Sequence, residues 1–589
     1  MSAHATDIEL DLDEPTLIIP APEDGSLMES STLERLDVVT SSSTRVPRIP
    51  ASRWPPAKSW LQLAAQIESK ITQNWVPHAF SQREIRDYRV LTQKFISVIK
   101  VMEEHQTRIG GQMVDLRVDQ ALFTKRMEYR TTFYRLFRIN DLPVEIINNI
   151  FSFVCWQAPD SQSGIKWRLY LTSICRHWRT VAINHATLWN AIWMTDGPLF
   201  QQSLTWLDRA GRSDIDIRLN DTPQKPLTLE GTQRLVQHII PKISHIRSFV
   251  MVAQDWDPIL CIIDAFRRVA EERLPMIIRT FEVHRGGSVY VQLGTGYQPS
   301  FYTQPMPLFG GAIVPSLRHV ACNGVHFDWD KSHLSDLLTF DIRRMPLDKT
   351  PTLTQFRSIL QNSPEMEKLL LDGAGPQHPQ NAEVAKNLQP IPLPKLRFLI
   401  LGDFHVNFAL YTLSQITCSG VIDLTLMDLF GEDLSPFFDL LNEKVTSVQS
   451  LTLLVTRQLS PLSIESIVKW LHSLNELYFL RISGIHKTFF DLFLYNPETM
   501  LPANGPSEPT LCPKLTYLEV HSMDTDFLPD WVEKRVSFES PLKKIYIGEI
   551  LYKTLSKENL EKLAKLRERH KNLTLCTLSR HQKAPEDIS

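Results

Sequence analysis

The residues that could do chemistry in this 589-residue chain are scattered rather than clustered. Seven cysteines stand at 155, 175, 261, 322, 418, 512 and 576, and no two have the spacing of a zinc knuckle. The 18 histidines form no metal-ligand pattern. The chain has no GxxxxGKS/T phosphate loop, no HExxH helix, no GxSxG elbow and no EF-hand loop. Gly294-Thr295-Gly296 follows VYVQL as a dinucleotide turn would, but the third glycine and the helical pattern after it are missing. Asp328 and Asp330 could act as an acid/base pair, and read instead as solvated loop carboxylates. The expectation is a non-catalytic protein with no cofactor and no metal.

Apolar recognition is the chemistry left. In residues 139–193, Asn140 or Asp141 can cap a helix whose first turn holds Pro143. Ile146, Ile147, Ile150, Phe151 and Val154 then form a stripe at helical spacing. Ala158–Gly164 reads as a loop by composition. A second helix carries Leu171, Ile174, Cys175, Trp178 and Ala182, and Leu188-Trp189 closes a short third element. Some fifty residues cannot bury such a surface unaided, so it must pack on the rest of the chain or on a partner. Arg168, Arg176, His177 and Arg179 read as a solvated helix face with rim contacts.

These residues carry a resemblance. Leu142, Pro143, Glu145 and Ile146, then Ile150-Phe151, then Cys175, Arg176, Trp178 and Arg179, then Leu188-Trp189 resemble the F-box pattern in order and spacing, with the longer inter-helix loop of many fungal F-box proteins. The helical run before the box and LTWLDRAGRSDIDIRL after it also look like that group. The resemblance implies docking on a Skp-family adaptor, and through it on a cullin. By that analogy Leu142, Pro143, Ile146, Ile150, Phe151, Ile174, Cys175 and Trp178 would pack against the adaptor.

The elements that flank the box follow from periodicity. Residues 1–50 form an acidic tail: the first forty carry ten acidic residues and only Arg35 as a base. Residues 51–136 form a helical arm, in which Leu91, Phe95, Val98, Met102, Ile109, Met113 and Leu116 share a face broken at Gly110-Gly111. The arm is expected to pack within the chain, with coiled-coil dimerisation as the other outcome. The F-box spans 137–193, the region 194–579 follows, and 580–589 is a frayed C-terminal tail.

Over 194–579 an apolar-x-x-apolar-x-apolar word recurs eleven times, starting at 246, 278, 317, 337, 366, 396, 421, 448, 477, 515 and 542. Helical stretches precede several words, as in LTQFRSILQNSP, FALYTLSQI and SIESIVKWLHSL. Alternating strand and helix at this period imply parallel strands along one side of a solenoid. KENLEKLAKLRERH reads as a last helix and LTLCTL at 573–578 as a closing strand. The fold class is therefore α/β: a helical arm, a small helical F-box hairpin, and an irregular solenoid with a parallel sheet. The array resembles leucine-rich repeats without their Asn ladder, since Val325, Ala374 and Phe404 occupy the matching positions.

Strand alternation turns word positions four and six inward and three and five outward. That places His319, Lys368, Phe398, Phe479, Arg481, Tyr517, Glu519 and Tyr546 on the concave face as candidates for target binding. The competing reading is that the N-terminal arm, the C-terminal tail or a flanking loop covers them.

Composition sets outer limits. Lys plus Arg is 63 against 66 Asp plus Glu, a net charge of −3, so nothing in the balance favours nucleic acid or a membrane surface. No apolar run is long enough to span a bilayer, the first residues do not read as a signal peptide, and the odd thiol count suits a reduced intracellular protein, cytoplasmic or nuclear. The function expected is a substrate receptor of a cullin-type (SCF) ubiquitin ligase, holding an unidentified target protein. Its rivals are a non-ligase interaction scaffold, an enzyme with a cryptic solenoid pocket, and a chain whose own arm buries the F-box stripe.

Overall fold

The structure is a computed structural model. It describes residues 81–108, 116–136, 139–158, 160–197, 199–221, 225–286, 297–378, 388–454, 464–496, 498–499, 501–503, 510–522, 526–570, 572–579, 584 and 587. The acidic tail, the first part of the helical arm, Gly110-Gly111 and Gly294-Thr295-Gly296 lie outside these residues. The described residues divide into two compact units, with the boundary between Asn184 and His185.

The first unit is helical. Helix α1 (Gln82–Arg108) and helix α2 (Leu116–Leu136) flank the expected break. They pack around Phe95, with Tyr88, Leu91 and Tyr129 against it, and Arg126 reaches Glu103 at 2.5 Å. Helices α3 (Val144–Trp156), α4 (Ser161–Ile174) and α5 (Arg176–Asn184) form the hairpin. Two local expectations are corrected. The inter-helix loop is shorter than its composition suggests, because Asp160 caps α4 by accepting the Ser163 N–H at 2.7 Å. The second expected helix is two, because Cys175 is extended (φ −155°, ψ 170°). Its thiol sulfur accepts the Trp178 N–H at 3.4 Å and starts α5.

The second unit is a mixed α/β structure built on a parallel sheet of 14 strands, each paired with the strands before and after it in sequence. They are β1 (Ala191–Met194), β2 (Ile215–Asn220), β3 (Ile246–Ala253), β4 (Thr280–Arg285), β5 (His319–Asn323), β6 (Thr339–Arg343) and β7 (Lys368–Asp372). The others are β8 (Phe398–Gly402), β9 (Asp423–Met427), β10 (Ser450–Leu454), β11 (Phe479–Ser483), β12 (Tyr517–His521), β13 (Lys544–Gly548) and β14 (Thr574–Leu578). All eleven sequence words become strands, β3 to β13, and LTLCTL becomes β14. Word positions one, four and six are buried in every case, as Leu477, Leu480 and Ile482 illustrate. Helices pack on that face: Phe266 of Trp256–Glu271 lies on Phe249 and Phe281, and Phe356 of Leu353–Gln361 on Phe340.

The turns after the strands repeat as well. The residue just beyond β5 to β9, β11 and β12 has positive φ in each case: Gly324, Arg344, Gly373, Asp403, Asp428, Gly484 and Ser522. Gly and Asp tolerate this left-handed geometry best, and they fill five of these seven sites.

The domain boundary also moves. Leu188 and Trp189, expected in the hairpin, belong to the second unit. Trp189 is fully buried there, edge-on to Trp206 at 5.5 Å with the Arg209 guanidinium over its ring at 4.6 Å.

Candidate functional site

Two surfaces hold the residues marked in the sequence, one in each unit. In the hairpin, helix geometry sorts the apolar stripe into two faces. Ile147, Phe151 and Cys155 point inward, and Phe151 meets the Trp178 ring at 5.0 Å. Phe151 was expected at an adaptor surface. It is fully buried and acts as core, because Trp178 closes over it. Trp178 is half-buried, and its indole N–H donates to Asn140 Oδ1 at 2.7 Å. Asn140 therefore pins α5 rather than capping α3, whose N-cap is Pro143.

The outward face is apolar. Ile146 is 44% exposed, Phe153 63%, Tyr170 62% and Ile174 58%, and Val144, Val154, Trp156 and Leu169 are exposed too. Pro143 is exposed, while Leu142, Ile150 and Cys175 are half-buried. Arg176, His177 and Arg179 are solvated. Arg168 departs from that group. It is buried against the Trp156 ring at 4.6 Å, and burial lowers its pKa to about 10. The same environment pushes the Cys155 thiol up to about 11, which leaves it protonated and unreactive.

In the sheet, the parallel register aligns word position five into a row across the strands. Toward its N-terminal end the row carries Glu282 and Asp341, and polar side chains such as His284, Arg343 and Asp372 lie beside it. His284 Nε2 lies 3.2 Å from Glu282, and Arg343 grips Asp341 through two bonds of 2.9 and 2.7 Å. Burial pushes the Glu282 carboxyl up, yet the His284 hydrogen bond and the Arg218 and Arg343 charges hold it below the usual range. Burial dominates at Asp372, whose pKa rises to about 6 against the pull of Arg343 and Arg344. Gly402 makes room there: a Cβ would come within 2.8 Å of both Asp372 and Met427. His319, Lys368 and Phe398 are half-buried on this face, and the His319 ring reaches the Thr339 hydroxyl at 2.9 Å.

At the C-terminal end the same face is covered. Phe479, Tyr546, Leu578 and Ala584 form one buried cluster, with Tyr478, Tyr517 and Cys576 packed against it. Arg481 bonds Glu519 at 2.8 and 3.2 Å and Asp587 at 2.5 Å. His521 Nε2 lies 2.7 Å from Glu519. Burial pushes Glu519 up, but His521 and Arg481 pull it below the ordinary carboxylate range. Asp587 donates its backbone N–H to the Ala584 carbonyl at 3.0 Å, which ties the two covering residues to each other.

Three of the expected contact residues are thereby corrected. Phe479, Glu519 and Tyr546 face as alternation requires but are buried: Leu578 and Ala584 join Phe479 and Tyr546, Arg481 and His521 lie on Glu519, and Asp587 helps enclose Arg481. The tail expected to be frayed supplies Ala584 and Asp587 to this cover. No periodicity marked those two residues. Phe153, Trp156 and Tyr170 were also missed, since each falls between the positions of the recognised pattern.

Asp328 and Asp330 are loop anchors: Asp328 pairs with Lys331 at 3.1 Å, and Asp330 accepts from the Gln355 amide. Among the described residues, no three His, Cys, Asp or Glu side chains are grouped to hold a metal ion, and no helix is long and apolar enough to cross a membrane. No protein-family model matches the chain, and no curated protein matches it.

Proposed function

We propose that the chain is the substrate-recognition subunit of a cullin-type ubiquitin ligase. Its hairpin acts as an F-box that docks on a Skp-family adaptor, and its strand-and-helix array acts as a leucine-rich-repeat-like solenoid that holds a target protein. The observation that carries this reading is the apolar face of α3 and α4. Ile146, Phe153, Tyr170 and Ile174 stay exposed although Phe151, Trp178 and Leu171 already complete a core beneath them. Large apolar side chains left exposed together on so small an element mark an interaction surface. The receptor makes and breaks no bond. It raises the effective concentration of target lysines at a catalytic site on other subunits.

Co-purification with the adaptor tests the reading. The full-length chain should capture a Skp adaptor, and an Ile146→Asp/Ile174→Asp variant with an unchanged circular dichroism spectrum should not. Capture of adaptor, cullin and RING subunit together supports ligase membership. Adaptor without the others would point to the scaffold, and no capture by the wild type would sink the proposal.

A further inference from the structure

We propose that the sheet face over β11 to β13 is a peptide-binding site, now occupied by the chain's own Ala584 and Asp587. Its partner is an acidic segment carrying a small apolar residue three positions before a carboxylate. The inference rests on the target-holding half of the function proposed above and is independent of adaptor docking.

Three observations support it. First, the sheet does not need these two residues to be complete. Leu480, Ile482, Leu518, Val520, Ile545 and Ile547 fill the core on the helix side of these strands. Ala584 packs on the other face, where Phe479, Tyr517 and Tyr546 would otherwise meet solvent. Second, the contact is built as a recognition site, with an aromatic floor and one charged anchor. Ala584 enters the cluster of Phe479, Tyr546 and Leu578, while Asp587 is buried against Arg481. Third, the guanidinium has a second support besides Asp587. Glu519 accepts from its Nε and Nη2, His521 holds Glu519, and the guanidinium lies 5.7 Å from the Phe479 ring centre. The Nη2 that Glu519 reaches at 3.2 Å also donates to Asp587 at 2.5 Å, so one guanidinium serves a resident carboxylate and that of the tail. The chain's own Ala584 and Asp587 thus show the chemistry of what the face accepts: a methyl-sized group for the aromatic floor and a carboxylate for Arg481.

A tethered ligand competes at high effective concentration, on the order of millimolar for a short flexible link. An external peptide must displace it, so the wild-type chain should bind weakly and an opened chain tightly. The test uses fluorescence anisotropy with a labelled peptide reproducing residues 579–589. It compares the full-length chain with a full-length Ala584→Arg/Asp587→Arg variant. The opened variant should bind the peptide saturably, and the wild type at least about tenfold more weakly. Adding Arg481→Gln to the opened chain should weaken binding about tenfold or more, as should Asp587→Asn in the peptide. Equal binding by opened and wild-type chains would overturn the proposal. So would no binding by an opened chain that keeps its circular dichroism spectrum, or insensitivity to Arg481→Gln. Loss of fold in both the opened variant and a full-length Asp587→Asn chain would make these two residues part of the core, and would overturn it too. None of these readouts involves the adaptor, so this inference and the ligase reading fail separately.

Discussion

The hairpin and the C-terminal end of the sheet each carry aromatic and aliphatic residues of the kind that contact partners, and they treat them in opposite ways. On the hairpin, Phe153, Tyr170 and Ile174 stay in solvent while Phe151 is taken into the core. On the sheet, Phe479 and Tyr546 point away from the helices and are nonetheless buried, because Ala584 and Asp587 return to cover them. Orientation and exposure are thus separate properties. A local repeat sets the first. The second depends on whether some other part of the chain comes back, and that is a tertiary event.

Substitutions that separate core from surface should show this difference most strongly. Phe479→Ala should cost about 3–5 kcal/mol in urea unfolding, the price of an emptied aromatic site, although its word position faces outward. Phe151→Ala should cost a similar amount in the hairpin. Phe153→Ala, two residues further along the same helix, should shift stability by less than about 0.5 kcal/mol. A mild effect at Phe479 would mean the covering residues are seldom in place.

A smaller effect separates the polar half of the sheet face from the covered half. The pKa of Asp372 in the folded chain, raised by burial to about 6, lies above its ordinary value of 3.8. A carboxyl whose folded pKa is raised costs stability once pH exceeds the folded value, and the cost fades as pH falls through 6 toward 4. Asp372→Asn should therefore stabilise the chain at pH 7 by about 1–2 kcal/mol and by almost nothing at pH 4. Asp423, also raised to about 6 chiefly by burial, should leave the variant part of the same slope. Thermal melts of both proteins across pH 4–7 measure the difference.

Removing single polar contacts should have the smallest effects. Asp587→Asn keeps the side-chain shape but removes the negative charge facing Arg481, which still holds Glu519. A loss of about 1–2 kcal/mol in the same unfolding assay is expected. Asn140→Ala frees the Trp178 indole N–H and should cost about 0.5–1.5 kcal/mol, with a change in the near-ultraviolet signal of that tryptophan.

Much of the fold was legible because it repeats. The eleven words gave eleven strands with the correct inward positions, since side-chain alternation is a property of every extended segment. Gly324, Gly373, Asp403, Asp428 and Gly484 mark the turn after a word with residues that accept positive φ. The helix over 464–473 and the last helix over 557–569 followed from apolar spacing alone. The hairpin was less legible in detail. Composition suggested a loop where the Asp160 cap begins a helix, and periodicity ran through the break at Cys175.

The sequence by itself determined which side of each strand faces the helices and which helical stripes are apolar, because both are set by spacing within one element. Only the tertiary structure decided which outward residues meet solvent. Arg481 and Asp587 lie 106 residues apart, and no period links them. Their pairing depends on where the chain travels after its last strand, and the cover that Ala584 adds to Phe479 and Tyr546 follows from that path.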